Sequence, residues 1–367
     1  MEMENSILAP AEPRKVPLTG EASMGSLEAA TADRIRVKNP QVRGEFVQPD
    51  IINEVGVAGE GEPWHGPSRA PSEPIQPCPR IPRRRLKVSA MQLRTGYELI
   101  YSFPQPTPIV LLVNIHDSRA SDIVVPDRLT AEPSIPITGY RDAFGNRCHR
   151  VLAPAGRLRL AADGVIRDSG QPDENVSAAG QDSVQDLPED TLVFLLGSRY
   201  CETDLLSETA WQLFSGTIPG YPRVRAICDY VHDHIAFNYQ NARATRGAAD
   251  AFNERTGVCR DYAHLAIAFC RCMNIPARYC TGYLSDVGTP PPFAMGDFAA
   301  WFEAWIGGRW HTFDPRNNVP RIGRVLMARG RDGCDVAIAT TFGPNTLENF
   351  RVWTDEIQEG EIPGTAT

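Results

Sequence analysis

The sequence predicts an α+β fold, in which a small antiparallel β domain precedes a larger domain of helices and strands. In residues 91–168, apolar and polar side chains alternate, which is typical of strands with one buried face. In residues 191–355, apolar residues first recur at helical spacing and then follow a hairpin pattern. Residues 169–190 are polar and rich in Gly and Asp, which indicates a linker, and residues 356–367 form a predicted tail.

Residues 1–88 are predicted to be disordered. They are rich in Pro, Glu, Gly and Ala and show little periodicity, so they cannot bury enough apolar surface to offset the entropy of the chain. The segment ends in a basic run, residues 80–87, which indicates a solvated linker more than an interaction surface. We therefore expect the folded part of the protein to begin near Met91.

The composition argues against several classes of protein. The chain of 367 residues is 42% hydrophobic and 22% charged, and its net charge of -8 gives no basis for nucleic-acid binding. No apolar run approaches the roughly 20 residues of a membrane span. The nine cysteines show no paired spacing, and the N-terminus has no apolar signal segment. We therefore expect reduced thiols in the cytoplasm.

The β domain is predicted from short runs of β-forming residues between turn signals. These runs are residues 93–103, 109–115 and 147–152. We also expect a hairpin turn at Asp163-Gly164, because Asp-Gly between apolar runs is a common two-residue turn.

The second domain is predicted to contain three helices followed by three strands. The helices span residues 205–214, 222–239 and 259–274, and the strands span residues 277–284, 298–306 and 309–314. Gly307-Gly308 is predicted to form the tight turn of a hairpin between the last two strands.

Cys259 is a candidate nucleophile. It lies at the predicted N-terminus of a helix, where unpaired N–H groups and the helix dipole favour anions. A thiol in this position is expected to lose its proton more easily than an ordinary cysteine. Cys270 and Cys272 lie on the same helix two residues apart and therefore face apart, which argues against a zinc site.

Three blocks of the second domain carry a resemblance to a known family. They are residues 257–263, 275–283 and 300–314, and their order and spacing resemble the transglutaminase-like superfamily, in particular its bacterial branch with an N-terminal β domain. The resemblance implies a papain-like core, in which a helix-borne cysteine packs against an antiparallel sheet that carries a histidine and an aspartate. By motif, Cys259 would attack an amide carbonyl and Asp314 would orient the histidine. The resemblance also implies no cofactor and a peptide or small acyl-amide substrate as the partner.

One position departs from the family pattern. The histidine of the family should stand directly before Ala300, and here that residue is Ala299. Counting back along the hairpin from its two-glycine turn places Trp301 opposite Asp314, so Ala299 lies on the same face as Asp314. The position is therefore suited to an imidazole but holds a methyl group. Without this base and acid, proton transfer worth roughly 10² to 10⁴ in rate would be lost.

The other histidines of this domain are not predicted to reach the thiol. His311 is expected to point to the opposite face of its strand from the orienting acid. His264 lies about 140° around the helix from Cys259. Nothing in the sequence places His232 or His234 near the candidate nucleophile.

Three hypotheses about function follow from these residues. In the first, the protein acts on or binds amide or peptide acyl groups through Cys259 and is impaired because Ala299 occupies the base position. In the second, it is an active cysteine acyltransferase or peptidase that uses a base from outside the motif. In the third, it is a non-catalytic binding protein.

Overall fold

The computed structural model describes residues 91–291, 293 and 296–358. The segment predicted to be disordered, residues 1–88, lies outside these ranges, as does most of the predicted tail. All described residues belong to one compact unit.

Seven strands make up the N-terminal part of the described chain. They are β1 (Met91–Phe103), β2 (Thr107–Leu111), β3 (Ile123–Val125), β4 (Thr130–Glu132), β5 (Thr138–Arg141), β6 (Arg147–Ala153) and β7 (Gly156–Asp168). The longest two, β1 and β7, pair along their whole length in antiparallel register.

The second part contains helices and further strands. In chain order they are α1 (Thr203–Phe214), α2 (Tyr221–His234), β8 (Ala236–Phe237), α3 (Ala248–Glu254), β9 (Thr256–Gly257), α4 (Cys259–Cys272), β10 (Ala277–Leu284), β11 (Ala299–Ile306), β12 (Arg309–Phe313), β13 (Arg324–Gly330), β14 (Ala339–Thr341) and β15 (Thr346–Ile357). This mixture of helices and antiparallel sheets confirms the predicted α+β class.

Two sheets enclose the core of the N-terminal part. One has the order β15-β1-β7-β3, with β4 also paired to β7, and the other has the order β14-β2-β6-β5. Apolar side chains of both sheets form a single core, to which β1 contributes alternate residues such as Leu93, Tyr97 and Leu99. The last two strands of the chain therefore return to sheets that its first strands begin.

The predicted turn at Asp163-Gly164 is wrong. Both residues lie inside β7, where they pair with Gly96 and Thr95 of β1. A Cβ atom at position 164 would lie 2.9 Å from the carbonyl oxygen of Val125. The glycine thus permits close packing of a neighbouring chain segment, a role that an Asp-Gly pair does not reveal in sequence.

Helix α4 is the centre of the second part. Every residue from Asp261 to Cys272 is buried, as expected for a helix that is covered on all sides. Helices α1, α2 and α3 pack against it, together with strands β10 and β11 of the sheet β12-β11-β10-β13. The predicted arrangement of a cysteine-bearing helix on an antiparallel sheet is therefore confirmed.

The hairpin of β11 and β12 has the predicted register. Gly307 and Gly308 both have positive φ, at 58° and 77°, and Ile306 pairs with Arg309. The pairing continues away from the turn as far as Phe302 opposite Phe313. The next residues in that direction are Trp301 and Asp314, which the sequence predicts to lie opposite each other.

The segment predicted to be a linker, residues 169–190, is held against the second part. The N–H of Gly307 donates to the carbonyl oxygen of Gly180 at 2.8 Å, and the N–H of Tyr221 donates to that of Ala179 at 2.9 Å. The Asp173 carboxylate binds the Arg324 guanidinium at 2.9 Å.

The helices of the described ranges have at most 14 residues each, whereas a membrane span needs roughly 20. None of them is both long enough and apolar enough to cross a bilayer.

Candidate active site

A cavity of about 580 Å³ lies at the N-terminal end of α4. Its walls come from the start of α4, the loop between β10 and β11, the chain after β12, and the end of β15. Its lining includes Tyr239, Cys259, Asp286, Asp297, Ala299, Ala300, Arg316, Asn317, Arg321 and residues 352–356.

Cys259 is the first residue of α4, as predicted. Its position is fixed by Asp261, whose carboxylate accepts a hydrogen bond of 2.9 Å from the N–H of Val258 and pairs with Arg246 at 3.2 Å. Gly257 leaves room for this carboxylate, because a Cβ atom there would lie 2.7 Å from Asp261. The helix therefore starts at the residue that brings the thiol to the cavity.

The expectation that the Cys259 thiol is more acidic than an ordinary cysteine is wrong. Burial raises the pKa of the thiol to about 11, and the negative charge of Asp297 adds to this effect. Hydrogen bonds from the backbone N–H groups of Ala300 and Arg260 act in the opposite direction, as a helix N-terminus should, but they are weaker than burial. The thiol is therefore stable in its protonated form.

Ala299 is the first residue of β11 and lines the cavity. The next residue of the strand, Ala300, lines it too. The backbone N–H of Ala300 lowers the pKa of the Cys259 thiol. Ala299 also packs on a small apolar cluster of Cys280, Trp301 and Leu326. The position at which the family resemblance predicts an imidazole thus lines the same cavity as Cys259 and carries no titratable group.

The carboxylate of Asp314 is buried and fully engaged. It accepts hydrogen bonds from the side-chain amide of Asn317 at 2.7 Å, from the Asn317 N–H at 3.0 Å, and from Arg324 at 3.0 Å. Among the described residues that line the cavity, Asn317 is present and Asp314 is not. Asp314 therefore reaches the cavity through Asn317, a residue that the motif alone did not single out.

A second group that sequence reasoning missed is Asp297. Burial raises the pKa of its carboxyl group, and it accepts a hydrogen bond of 3.3 Å from the hydroxyl of Tyr239. The pKa of Tyr239 is in turn raised to about 12 by burial and by the charges of Asp297 and Cys259. The available signal was the position of Asp297 in the sequence, two residues before Ala299, where the family resemblance predicts a histidine.

None of the described histidines lines the cavity. His264 stacks between Tyr200 and Tyr279 and accepts a hydrogen bond of 2.9 Å from the N–H of Gly333. His311 is buried on β12. A ring nitrogen of His232 lies 3.0 Å from the carbonyl oxygen of Pro315, and one of His234 lies 2.7 Å from that of Phe252.

Within the described residues, no three His, Cys, Asp or Glu side chains are grouped closely enough to hold a metal ion. A zinc site would have required the thiols of Cys270, Cys272 and Cys280. All three are buried, and none of them forms a disulfide.

Comparisons with known proteins agree with this architecture. A family model described as the transglutaminase-like superfamily matches residues 208–315. A crystal structure from Cytophaga hutchinsonii, described as a candidate cysteine protease, is 31% identical, covers 75% of this chain and 93% of its own, and has a TM-score of 0.65. The chain belongs to the transglutaminase-like superfamily.

Two mycobacterial proteins, both uncharacterised, are also similar. One, from Mycobacterium leprae, is 40% identical over 94 residues, which is 24% of this chain and 32% of that protein. The other, from Mycobacterium tuberculosis strain H37Rv, is 27% identical over 236 residues, which is 58% of this chain and 74% of that protein. The match thus spans about a third of the first relative and about three quarters of the second.

Proposed function

We propose that this protein binds peptide or acyl-amide groups in the cavity beside Cys259 and turns them over poorly. The observation that carries the proposal is the environment of the thiol: Ala299 and Ala300 line the same cavity, and the charge with the largest effect on the pKa of the thiol is the carboxylate of Asp297. A ligand carbonyl held in this cavity would therefore meet a protonated thiol without an imidazole.

The chemistry explains why turnover would be poor. Thiolate is the attacking species, and a pKa of about 11 leaves about one part in ten thousand of Cys259 ionised at pH 7. After attack, the carbon–nitrogen bond breaks only when the departing amine receives a proton, which the histidine would supply. A thioester loses a thiolate that needs no such proton, so it would react more readily than an amide.

A second candidate function has one observation in its favour. Asp297 lies within electrostatic reach of Cys259, and its raised pKa brings it closer to the range of a general base. In this alternative, Asp297 would accept the thiol proton and later pass it to the leaving group, and the protein would be an active acyltransferase or peptidase.

Turnover of a matched thioester and amide tests the proposal. We expect the native protein to cleave a capped peptide thioester slowly and the corresponding peptide amide not measurably. Ala299→His restores the base, so we expect cleavage of the amide to rise by at least about 10²-fold. Cys259→Ser is the control and should abolish both reactions.

One result would contradict the proposal, and a further result would support the second candidate function. Amide cleavage by the native protein at the rate of the Ala299→His variant would contradict the proposal. If Asp297→Asn then abolished this cleavage while Asp286→Asn left it unchanged, the second candidate would be supported, because both carboxylates line the same cavity.

For the location of the protein we propose the cytoplasm. The support is that the eight cysteines of the described part are all unpaired, as is usual in a reducing compartment. Cell fractionation with an antibody to the protein tests this, and recovery outside the cytoplasmic fraction would contradict it.

A further inference from the structure

Strand β15 forms one edge of its sheet. It pairs with β1 on one side, and within the described ranges no strand pairs with its other side. The N–H and C=O groups on such an edge can hydrogen bond to a further strand. β15 therefore offers a surface for an extended chain.

This edge borders the cavity that contains Cys259. Five consecutive residues of β15, Val352 to Glu356, line the cavity. Side chains of a strand alternate between its two faces, so a cavity on one face would contact only every second residue. Because this cavity contacts five consecutive residues, it lies along the main chain at the edge of the strand. The loop before β11 comes into close contact with this edge at one point, where Gly296 lies against the carbonyl of Val352.

The charge of the cavity favours a cation. Four carboxylates line it, those of Asp286, Asp297, Asp355 and Glu356, against the guanidinium groups of Arg316 and Arg321. Arg321 is paired with Asp286 at 3.2 Å. Among the described residues, Asp355 and Glu356 make no ion pair within 4.0 Å. Asp355 lies opposite Arg94 of β1, which leaves Glu356 as the carboxylate available to a basic side chain.

We propose that an extended segment of a partner protein, carrying a lysine or arginine, adds as a strand to the free edge of β15 at residues 353–356. It would then lie in the cavity next to Cys259. The inference rests on the proposed function and assigns the kind of ligand that this site takes.

The strand geometry determines where the basic side chain falls. Val352 is buried on the inner face of the sheet, opposite Tyr97, so Thr354 and Glu356 share that face. Trp353 points to the other face, where its indole N–H donates to Asp163 at 3.1 Å. A bound strand would therefore place its basic residue opposite or diagonal to Glu356 on the inner face.

Fluorescence anisotropy with the full chain tests the strand addition. The probe is a fluorescein-labelled, capped hexapeptide of alternating Thr and Val with one central Lys. Two further versions carry N-methyl groups on alternate residues, in the odd or the even positions. One side of a strand presents only alternate N–H groups. We therefore expect one methylated version to bind like the parent and the other to bind at least about tenfold more weakly.

Variants of β15 test the charge. Glu356→Lys is expected to weaken binding of the Lys probe by at least about tenfold and to strengthen binding of a probe with Glu in the same position. The matched control is Glu348→Lys on the same strand, whose carboxylate pairs with Arg157 at 3.0 Å and does not line the cavity. Equal binding of both methylated probes, no binding of the parent probe, or equal effects of the two variants would overturn the proposal.

Alkylation of Cys259 during the same titration separates this inference from the proposed function. If both methylated probes bind equally and slow the alkylation, strand addition is wrong and binding beside Cys259 stands. If one methylated probe binds selectively but leaves the alkylation unchanged, strand addition stands and the proposed binding beside Cys259 is wrong.

Discussion

The side chain at position 299 lies in the wall of the cavity that contains Cys259. Ala299 supplies only a methyl group, while the backbone N–H of Ala300 partly offsets the effect of burial on the pKa of the thiol. An imidazole there would provide a positive partner for the thiolate. The proposed function therefore depends on the identity of one residue in the wall of the cavity.

Asp297 raises the pKa of Cys259, so its removal should make the thiol more acidic. We expect Asp297→Asn to increase the rate of Cys259 alkylation at pH 8 by up to about tenfold, the equivalent of one pKa unit. The measurement is mass spectrometry of the Cys259 peptide after timed exposure to iodoacetamide. Asp286→Asn is the control, because that carboxylate lines the same cavity and already pairs with Arg321. An unchanged rate in Asp297→Asn would contradict the assigned electrostatic effect.

At the residue scale, the sequence predicted where Cys259 and Ala299 lie but not the state of the thiol. Motif and helix position were sufficient for the first, since both are local. The pKa of Cys259 depends on how completely the surrounding chain excludes water, which local sequence does not contain. The hydrogen bonds from Asn317 and Arg324 to Asp314 were missed because they depend on the fold of the chain after β12. The catalytic roles of Cys259 and Asp314 stay predictions.

At the scale of elements, the strongest patterns gave the most accurate predictions. The predicted strand 277–284 has the bounds of β10, and the helix predicted to begin at Cys259 does so. The second helix was predicted to reach residue 239, but α2 ends at His234, and the chain then pairs as β8 with β9. That short parallel pair depends on a segment 20 residues away and has no local signal.

Gly164 provides a test of packing within β7. Its Cβ position would lie 2.9 Å from the carbonyl oxygen of Val125 and 3.0 Å from the Cβ of Asp127. We expect Gly164→Val to lower the free energy of unfolding by about 1–3 kcal/mol, because backbone must move to admit the side chain. Urea denaturation measures this, with Gly216→Ala as the control, since a Cβ there would meet nothing within 4 Å. Equal stability of the two variants would contradict the packing assigned to Gly164.

At the scale of the whole molecule, the cavity is assembled from segments that are distant in the chain. Cys259 comes from α4, Asp297 and Ala299 from the loop and strand that follow β10, and residues 352–356 from β15. Because β15 pairs with β1, one wall of the candidate active site belongs to a sheet that begins with Met91. The division into domains at residues 91–168 and 191–355 stays a prediction, and it did not anticipate this shared wall.

The central claim is that Cys259 lies in an intact cleft that lacks its base. The pH dependence of Cys259 alkylation tests it most directly, measured by mass spectrometry of the Cys259 peptide in a Cys334→Ser background, because Cys334 is exposed. Burial raises the thiol pKa to about 11, so the rate should rise continuously from pH 7 to pH 10. In the Ala299→His variant, the imidazolium should shift this rise to below pH 8. A native profile that already rises below pH 8 would show that another group activates the thiol and would contradict the account.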